Sequence, residues 1–246
     1  MLSTVVQDRA VGALLGLAVG NALGTTLEFS ARDTRPHHTE LTGGGPFHLA
    51  PGQWTDDTAM ALALADSLMS CRGFNAYDLM TRFVAWWREG AYSCTGTCFD
   101  IGRATAEALA RFEQTGNPYA GSKAPMRLAP VAPVALFALH EAELAIRIAR
   151  DQSRTTHAAS EALAACTFLV TLLREAILDE PDMLRPRTWT GSAHMKTIAK
   201  GESRNKQQNQ IRSSGYVMDT LEAVLWAVSQ NQQLRQSARA GRQSWR

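Results

Sequence analysis

The sequence has little of several features that mark specialised classes of protein. Its 246 residues include only four cysteines, 7% aromatic residues and a formal net charge of +2. Four scattered cysteines do not make a disulfide-framed miniprotein, and so small a charge is not the basic field of a dedicated nucleic-acid binder. The 45% hydrophobic content excludes a disordered or collagen-like chain. What remains is a globular protein with a sizeable core, for which we expect no nucleic-acid partner.

The cysteines form no recognisable metal or redox motif. They are Cys71, Cys94, Cys98 and Cys166, and no two have C-x-x-C spacing. A zinc site would need more ligands than the pair four residues apart supplies. We therefore expect buried or inert thiols, and reduced thiols favour a cytoplasmic location.

An apolar run near the N-terminus, Val11–Leu27, needs its own interpretation. It is short for a membrane span and contains the polar Asn21, and the residues before it are not the basic start of a signal peptide. We predict a buried helix and no membrane association. Glycines recur at every fourth position and would let another backbone approach closely; they are Gly12, Gly16, Gly20 and Gly24.

Helical periodicity dominates the rest of the chain. The predicted helices are 8–23, 58–70, 77–89, 101–112, 131–150, 158–178 and 217–228. No alternating strand pattern, internal repeat or linker between two cores is present, which also disfavours a scaffold of helical repeats. The sequence therefore predicts one all-α domain over residues 1–228.

The last eighteen residues, 229–246, differ in composition from everything before them. They contain four arginines, five glutamines and no acid. A basic arm for nucleic acid is one interpretation, but Trp245 is the only aromatic residue among them, so a solvated terminus is favoured. We expect a polar basic tail that is poorly ordered.

Acidic residues at predicted helix ends are the candidates for chemistry. Thr55-Asp56-Asp57 follows a glycine-rich loop and precedes an apolar helix. These residues suit an N-cap, with the aspartates at the positive helix end, and they equally suit Mg²⁺ ligation by oxygen atoms. Glu28 lies between two apolar residues, and Asp100 precedes an alanine-rich helix. Three such helix ends suggest that the acids converge at one end of a bundle.

Several motifs in order resemble the ADP-ribosylglycohydrolase family, which includes the dinitrogenase-reductase-activating glycohydrolases and the ADP-ribosyl-acceptor hydrolases. The resemblance spans about residues 8–228. It is carried by residues 8–24, Glu28, 55–60, 99–102, 126–130, His157 with 160–162, and 214–223.

The resemblance implies an all-helical orthogonal bundle with a binuclear Mg²⁺ or Mn²⁺ centre that hydrolyses the bond between ADP-ribose and a protein side chain. The metal ligands it implies are Thr55, Asp56 and Asp57. It assigns Asp100 and Glu28 to catalysis, with Asp100 as the acid or base near the substrate and Glu28 beside the metals. It places His157, Gly215 and Tyr216 against the ADP-ribose, where the ring of Tyr216 offers a stacking face for adenine.

Two departures from the family pattern bear on activity. Where the family has Gly-Asn-Gly, this chain has residues 121–125, in which Lys123 and Pro125 suit a tight glycine turn poorly. The family also continues to an Asp-x-Asp-Thr motif that supplies further metal ligands, and no such motif follows Val228. We therefore expect an incomplete binuclear site.

Two hypotheses follow for the function. The first is a hydrolase that removes ADP-ribose from a modified protein side chain with Mg²⁺ or Mn²⁺ assistance, weakened by the missing ligands. The alternative is an inactive ADP-ribose-binding relative, or a frameshifted gene product truncated near Val228. If the closing helices of the family are absent, an uncovered apolar face would favour oligomerisation.

Overall fold

The computed structural model describes residues 2–31, 34–35, 38–180, 182–212 and 214–243, with the side chains of the last helix described as far as Asn231. Within these residues the protein is all-α, as predicted, and the only β contacts are isolated bridges. The α-helices are α1 Thr4–Gly24, α2 Asp56–Cys71, α3 Ala76–Glu89, α4 Arg103–Thr115, α5 Ala132–Phe137, α6 Ala142–Thr156, α7 Ser160–Leu178, α8 Ala193–Ala199 and α9 Val217–Gln243. Short 3₁₀ helices cover Thr25–Leu27, Glu202–Asn205 and Gln208–Gln210.

Local capping explains where several helices begin and end. The side chain of Asn75 accepts hydrogen bonds from the backbone N–H groups of Tyr77 and Asp78 and so starts α3. Gly90, with φ of 74°, ends the same helix in the left-handed conformation that glycine adopts without steric cost. These boundaries agree with the predicted helix 77–89.

The predicted helix 131–150 is instead two helices, α5 and α6. A break at residues 138–141 separates them. The buried Arg174 of α7 provides hydrogen bonds to carbonyl groups in this break. The Arg174 guanidinium donates to the carbonyl oxygens of Ala138 at 3.1 Å and Leu139 at 2.6 Å. A partner from another helix therefore stabilises a break that the local sequence does not signal.

Two groups of buried apolar side chains form the interior, and α7 belongs to both. The first core lies among helices α2 to α7 and includes Leu64, Phe83, Trp86 and Val170. The second core lies between α7, α8 and the start of α9 and includes Phe168, Met195 and Leu221. The alternation of α7 residues between the two cores joins them into one structure.

Helix α1 differs from its prediction. It packs on α2, α5 and α7 along one side, and Ala22 is its only buried residue, so the expectation of a buried helix is wrong. Its exposed side carries Val11, Leu15 and Val19. No atom lies within 4 Å of a Cβ placed at any of its four glycines, so the expected close approach of another backbone is absent from the described residues. By length and composition alone, residues 4–27 would suffice to cross a membrane, with a mean hydropathy of 1.6.

The last helix and the thiols give two further differences. Helix α9 begins at Val217 as predicted but continues past Val228 to Gln243, because its alanine, glutamine and arginine residues are good helix formers. The side chains beyond Asn231 and residues 244–246 lie outside the described part, and the boundary and poor order expected for the tail stay predictions. All four cysteines are free thiols; of the expected buried or inert thiols Cys166 is buried, whereas Cys71 is exposed and its inertness stays a prediction.

Candidate active site

The end of α1 and the start of α2 are held together by one amide side chain. Asn21 Nδ2 donates to Thr55 Oγ1 at 2.8 Å, and Asn21 Oδ1 accepts from the Thr55 backbone N–H at 2.8 Å and from Thr58 Oγ1 at 2.9 Å. Each functional atom of the amide thus has a partner in the segment that carries the aspartates. This network fixes the acids of α2 relative to α1.

Thr55 occupies the N-cap position of α2, as one interpretation of the sequence had it. Its hydroxyl, however, makes no capping bond to the helix backbone. It accepts from Asn21 and lies 3.3 Å from Asp56 Oδ1, to which it donates. The hydroxyl is therefore directed to the Asp56 carboxylate and not to the unpaired N–H groups at the start of the helix.

Four carboxylates converge where α1, α2 and the segment before α4 meet. Glu28 follows the 3₁₀ turn after α1, Asp56 and Asp57 open α2, and Asp100 precedes α4. The carboxyl groups of Glu28 and Asp100 contact each other, and both lie in the electrostatic field of Asp56 or Asp57. The expected convergence is present, and we call these four residues the acidic cluster.

The pKa values of the acidic cluster reflect this crowding. Burial, followed by repulsion from Asp57 and Asp100, raises the pKa of Asp56 to about 7. Burial and the neighbouring Glu28 raise the pKa of Asp100 to about 7. Burial also raises the pKa of Glu28 above its usual range. Carboxyl groups that exchange protons near neutral pH are suited to general acid–base chemistry.

Arg127 supplies positive charge beside the acidic cluster. Its guanidinium lies 3.6 Å from Asp56 Oδ2 and lowers the pKa of Glu28, Asp56 and Asp100 against the effect of burial. The loop that carries it is paired with the turn before α9, because the Arg127 N–H donates to the Gly215 carbonyl at 3.0 Å. Arg127 therefore links the acids to the predicted substrate-binding residues.

Three residues of this site have a strained backbone conformation. Phe29, Asp100 and Arg127 have φ of 58°, 56° and 54°, values that non-glycine residues seldom adopt. Such strain persists only where the surrounding structure enforces it, and it concentrates at functional sites. The strain adds support for this region as the functional site.

The structure places His157 in a buried position behind the Arg127 loop. The ring Nδ1 lies 2.9 Å from Thr156 Oγ1, and the residue is only 4% exposed. Burial and the positive charge of Arg127 lower the pKa of His157 to about 4, so the ring is neutral at pH 7. A buried neutral ring supports the loops around it more readily than it holds a diphosphate.

Gly215, which is exposed, and Tyr216, which is half-buried, lie next to the Arg127 loop. The Tyr216 hydroxyl donates to Glu161 Oε2 at 2.8 Å, and its ring centroid is 5.7 Å from that of His194. Burial, followed by contact with the Glu161 carboxylate, raises the pKa of Tyr216 to about 12. The ring is thus held in place beside a second aromatic ring, and its predicted contact with adenine stays a prediction.

The loop that departs from the family pattern keeps its first glycine for a steric reason. A Cβ at Gly121 would lie 2.5 Å from the Arg154 carbonyl oxygen and 2.9 Å from the His157 nitrogen. Ser122 then bonds on both sides of His157, since its N–H donates to the Thr156 carbonyl and its carbonyl accepts from the Ala158 N–H. The segment is therefore seated on the end of α6 without a second glycine.

The acidic cluster has the right ligand atoms for a hard divalent cation, but its residues are not placed closely enough to hold one. Carboxylate and hydroxyl oxygens are the preferred ligands of Mg²⁺, and the buried Asp100 Oδ2 has no hydrogen-bond partner. Yet no three His, Cys, Asp or Glu residues among those described converge closely enough to hold a metal ion. The donors are suitable, and a metal would require some of them to move closer together.

Two residues of the site were not among those predicted for it. Asn21 and Arg127 lie inside the family-like motifs, but neither was assigned a role. A polar residue in an otherwise apolar helix was the signal for Asn21. No local pattern in the sequence indicated that Arg127 would meet Asp56, since 71 positions separate them.

Neighbouring carboxyl groups at the helix ends of an all-α bundle are typical of a hydrolase that uses general acid–base chemistry. Comparison with known proteins identifies the family. The model of the ADP-ribosylglycohydrolase family matches residues 2–244. The chain belongs to the ADP-ribosylglycohydrolase family. A solved structure described as an ADP-ribosylglycohydrolase-related protein complex superposes with a TM-score of 0.79 at 38% identity, over 92% of this chain and 77% of that one.

Three members of the family are similar to the chain over most of its length. It is 44% identical to the ADP-ribosylarginine hydrolase Tri1 of Pseudomonas putida (strain GB-1) over 90% of this chain and 61% of that protein. It is 40% identical to the Tri1 of Serratia proteamaculans (strain 568) over 90% and 62%. It is 32% identical to the ADP-ribosyl-[dinitrogen reductase] glycohydrolase of Rhodospirillum rubrum over 92% and 75%. The chain thus spans about three fifths of the length of the two Tri1 proteins.

Proposed function

We propose that this protein removes ADP-ribose from a modified arginine side chain of a protein. The observation that carries the proposal is the contact between the Glu28 and Asp100 carboxyl groups beside Asp56, at the junction of α1 and α2. The similarity to two ADP-ribosylarginine hydrolases supports arginine as the acceptor.

The arrangement supports a general acid–base hydrolysis. In the reaction the bond between the anomeric carbon C1″ and the guanidinium nitrogen breaks, and a water oxygen forms the new bond to C1″. Asp100, with a pKa near 7, is suited to give a proton to the departing nitrogen. Its neighbour Glu28, as the carboxylate, favours a proton on Asp100, and once the nitrogen has departed the ionised Asp100 takes the proton that the water loses. The proposed roles need one protonated and one ionised carboxyl group, which two acids in contact provide.

We further propose that Mg²⁺ or Mn²⁺ binds at the opening of α2, with Thr55, Asp56 and Asp57 as the residues that would hold it. The unpartnered Asp100 Oδ2 and the raised pKa of Asp56 support a cation there, because a cation would offset the crowded negative charge. Such an ion would supply Lewis acidity to the site.

The test is release of ADP-ribose from an ADP-ribosyl-arginine peptide by the purified chain, with metal varied. Asp100→Asn should lower kcat by about 10²- to 10⁴-fold, as loss of a general acid does. Glu107→Gln, an exposed acid of α4, is the matched control and should retain full activity. In the same proteins, a rise in melting temperature with Mg²⁺ or Mn²⁺ that Asp57→Asn abolishes would support the metal site.

Calorimetric binding of ADP-ribose separates the hydrolase from its alternative. Binding without release at saturating metal would overturn the hydrolase proposal and favour the non-catalytic ADP-ribose-binding relative. Equal activity of wild type and Asp100→Asn would remove Asp100 from the mechanism.

A further inference from the structure

An exposed aromatic ring adjoins the acidic cluster and has no role in the chemistry described above. Phe29 directly follows Glu28 and is 76% exposed, the largest exposed fraction among the bulky apolar residues described. Its backbone φ of 58° is unfavourable for a bulky side chain. Burial of the ring does not explain why the chain tolerates this conformation.

Two further rings hold Phe29 on the side of the catalytic acids. The Phe29 ring meets Phe47 edge-on at a centroid distance of 6.2 Å, and Phe47 lies 5.5 Å from Phe99. Phe99 directly precedes Asp100, just as Phe29 directly follows Glu28. A continuous row of three rings thus runs from the residue after Glu28 to the residue before Asp100, and Phe29 is its exposed end.

The charge beside this row favours a cation. Four carboxylates, those of Glu28, Asp56, Asp57 and Asp100, surround the site, and Arg127 is the cation that acts on each of them. A planar cation with one face on an aromatic ring and its edge towards a carboxylate gains both the ring quadrupole and the opposite charge. A guanidinium group has that shape and charge, and a serine hydroxyl has neither.

We propose that Phe29 is a specificity-determining residue whose exposed ring stacks on the guanidinium of the modified arginine and so favours arginine over serine as the acceptor. The inference rests on the proposed hydrolase function and names the side chain that selects its substrate. Phe47 and Phe99 position the ring and do not touch the leaving group.

The experiment compares two matched peptides, one carrying ADP-ribosyl-arginine and one carrying ADP-ribosyl-serine. Phe29→Leu keeps an apolar side chain and removes the π face, whereas Phe29→Trp keeps the face. Phe29→Leu should lower kcat/KM for the arginine peptide by about 2- to 10-fold, mainly through KM, and change the serine peptide by less than about 2-fold. Phe29→Trp should keep the wild-type preference for the arginine peptide. Equal losses on both peptides, or no loss on either, would overturn the proposal.

A binding measurement keeps this test separate from failure of the proposed function. If wild type releases ADP-ribose from neither peptide, the hydrolase proposal fails, and calorimetric titration with agmatine, a small guanidinium compound, then tests Phe29. Wild type and Phe29→Trp should bind agmatine about 2- to 10-fold more tightly than Phe29→Leu. Equal affinities would reject the stacking role. Because Phe29 is exposed, circular dichroism should report the same fold for all three proteins.

Discussion

Single side chains connect segments of this protein that are far apart in the sequence. Asn21 joins α1 to the opening of α2, and Arg127 joins the acids to the turn before α9. His157 lies behind Arg127, and its neighbours Thr156 and Ala158 hold the loop of residues 121–125 through backbone hydrogen bonds to Ser122. The site is thus assembled from a few polar contacts, each of which brings a separate helix end into position.

The pH dependence of stability should reveal the buried state of His157. Its folded pKa of about 4 lies below the 6.5 of an unperturbed histidine, so between these values the unfolded chain binds a proton that the folded protein does not. The contribution of His157 to the free energy of unfolding is therefore complete above pH 6.5 and is lost as the pH falls towards 4. The full loss amounts to about 3 kcal/mol.

The measurement is urea unfolding of wild type and His157→Gln at several pH values. Asp56 and Asp100 have raised pKa values, so their contribution has the opposite sign and decreases as the pH rises, but it cancels in the difference between the two proteins. That difference should shrink as the pH falls from 6.5 to 4. A pH-independent difference for His157→Gln would mean that the ring is not buried in its neutral form.

At the level of secondary structure, the glycines of α1 have a testable cost. Gly16 and Gly20 lie in a helix interior with no atom within 4 Å of an added Cβ. Each Gly→Ala change there should raise the free energy of unfolding by about 0.5 to 1 kcal/mol, because alanine restricts the unfolded chain and favours the helix.

At Gly45 the same Gly→Ala change should have the opposite effect on stability. Its φ is 68°, and a Cβ would lie 2.7 Å from the Thr25 carbonyl oxygen, so Gly45→Ala should destabilise the protein. Chemical denaturation of the three single variants measures both effects. Destabilisation by Gly16→Ala or Gly20→Ala would show that another backbone does pack on that face of α1.

For the whole molecule, α7 should make the two cores unfold together. Val170 and Ile177 of α7 belong to the first core, while Phe168 and Leu172 belong to the second. Loss of either core removes packing partners from this one helix. We therefore expect far-ultraviolet and near-ultraviolet circular dichroism to report one coincident transition in urea.

Phe168→Ala tests the coupling directly. The buried ring packs at right angles to Trp189, and its removal should cost about 3 to 5 kcal/mol. The single transition should move to lower urea concentration as a whole. Two separate transitions, with only one of them shifted, would show that the cores are independent.

The residues by themselves determined the all-α class, most helix positions and the acids of the site. Periodic apolar residues and caps such as Asn75 act locally, which is why α3 and α7 could be predicted closely. The motifs around Glu28, Asp56 and Asp100 also indicated the family before any contact was known.

Only the tertiary structure decided the rest. The break between α5 and α6 depends on Arg174 of another helix, and the exposure of α1 depends on which sides of the helix find partners. Arg127 reaches Asp56 across the fold, and Phe29 acquires its place from Phe47 and Phe99. These features arise from contacts between residues distant in sequence, whose energies local propensity does not contain.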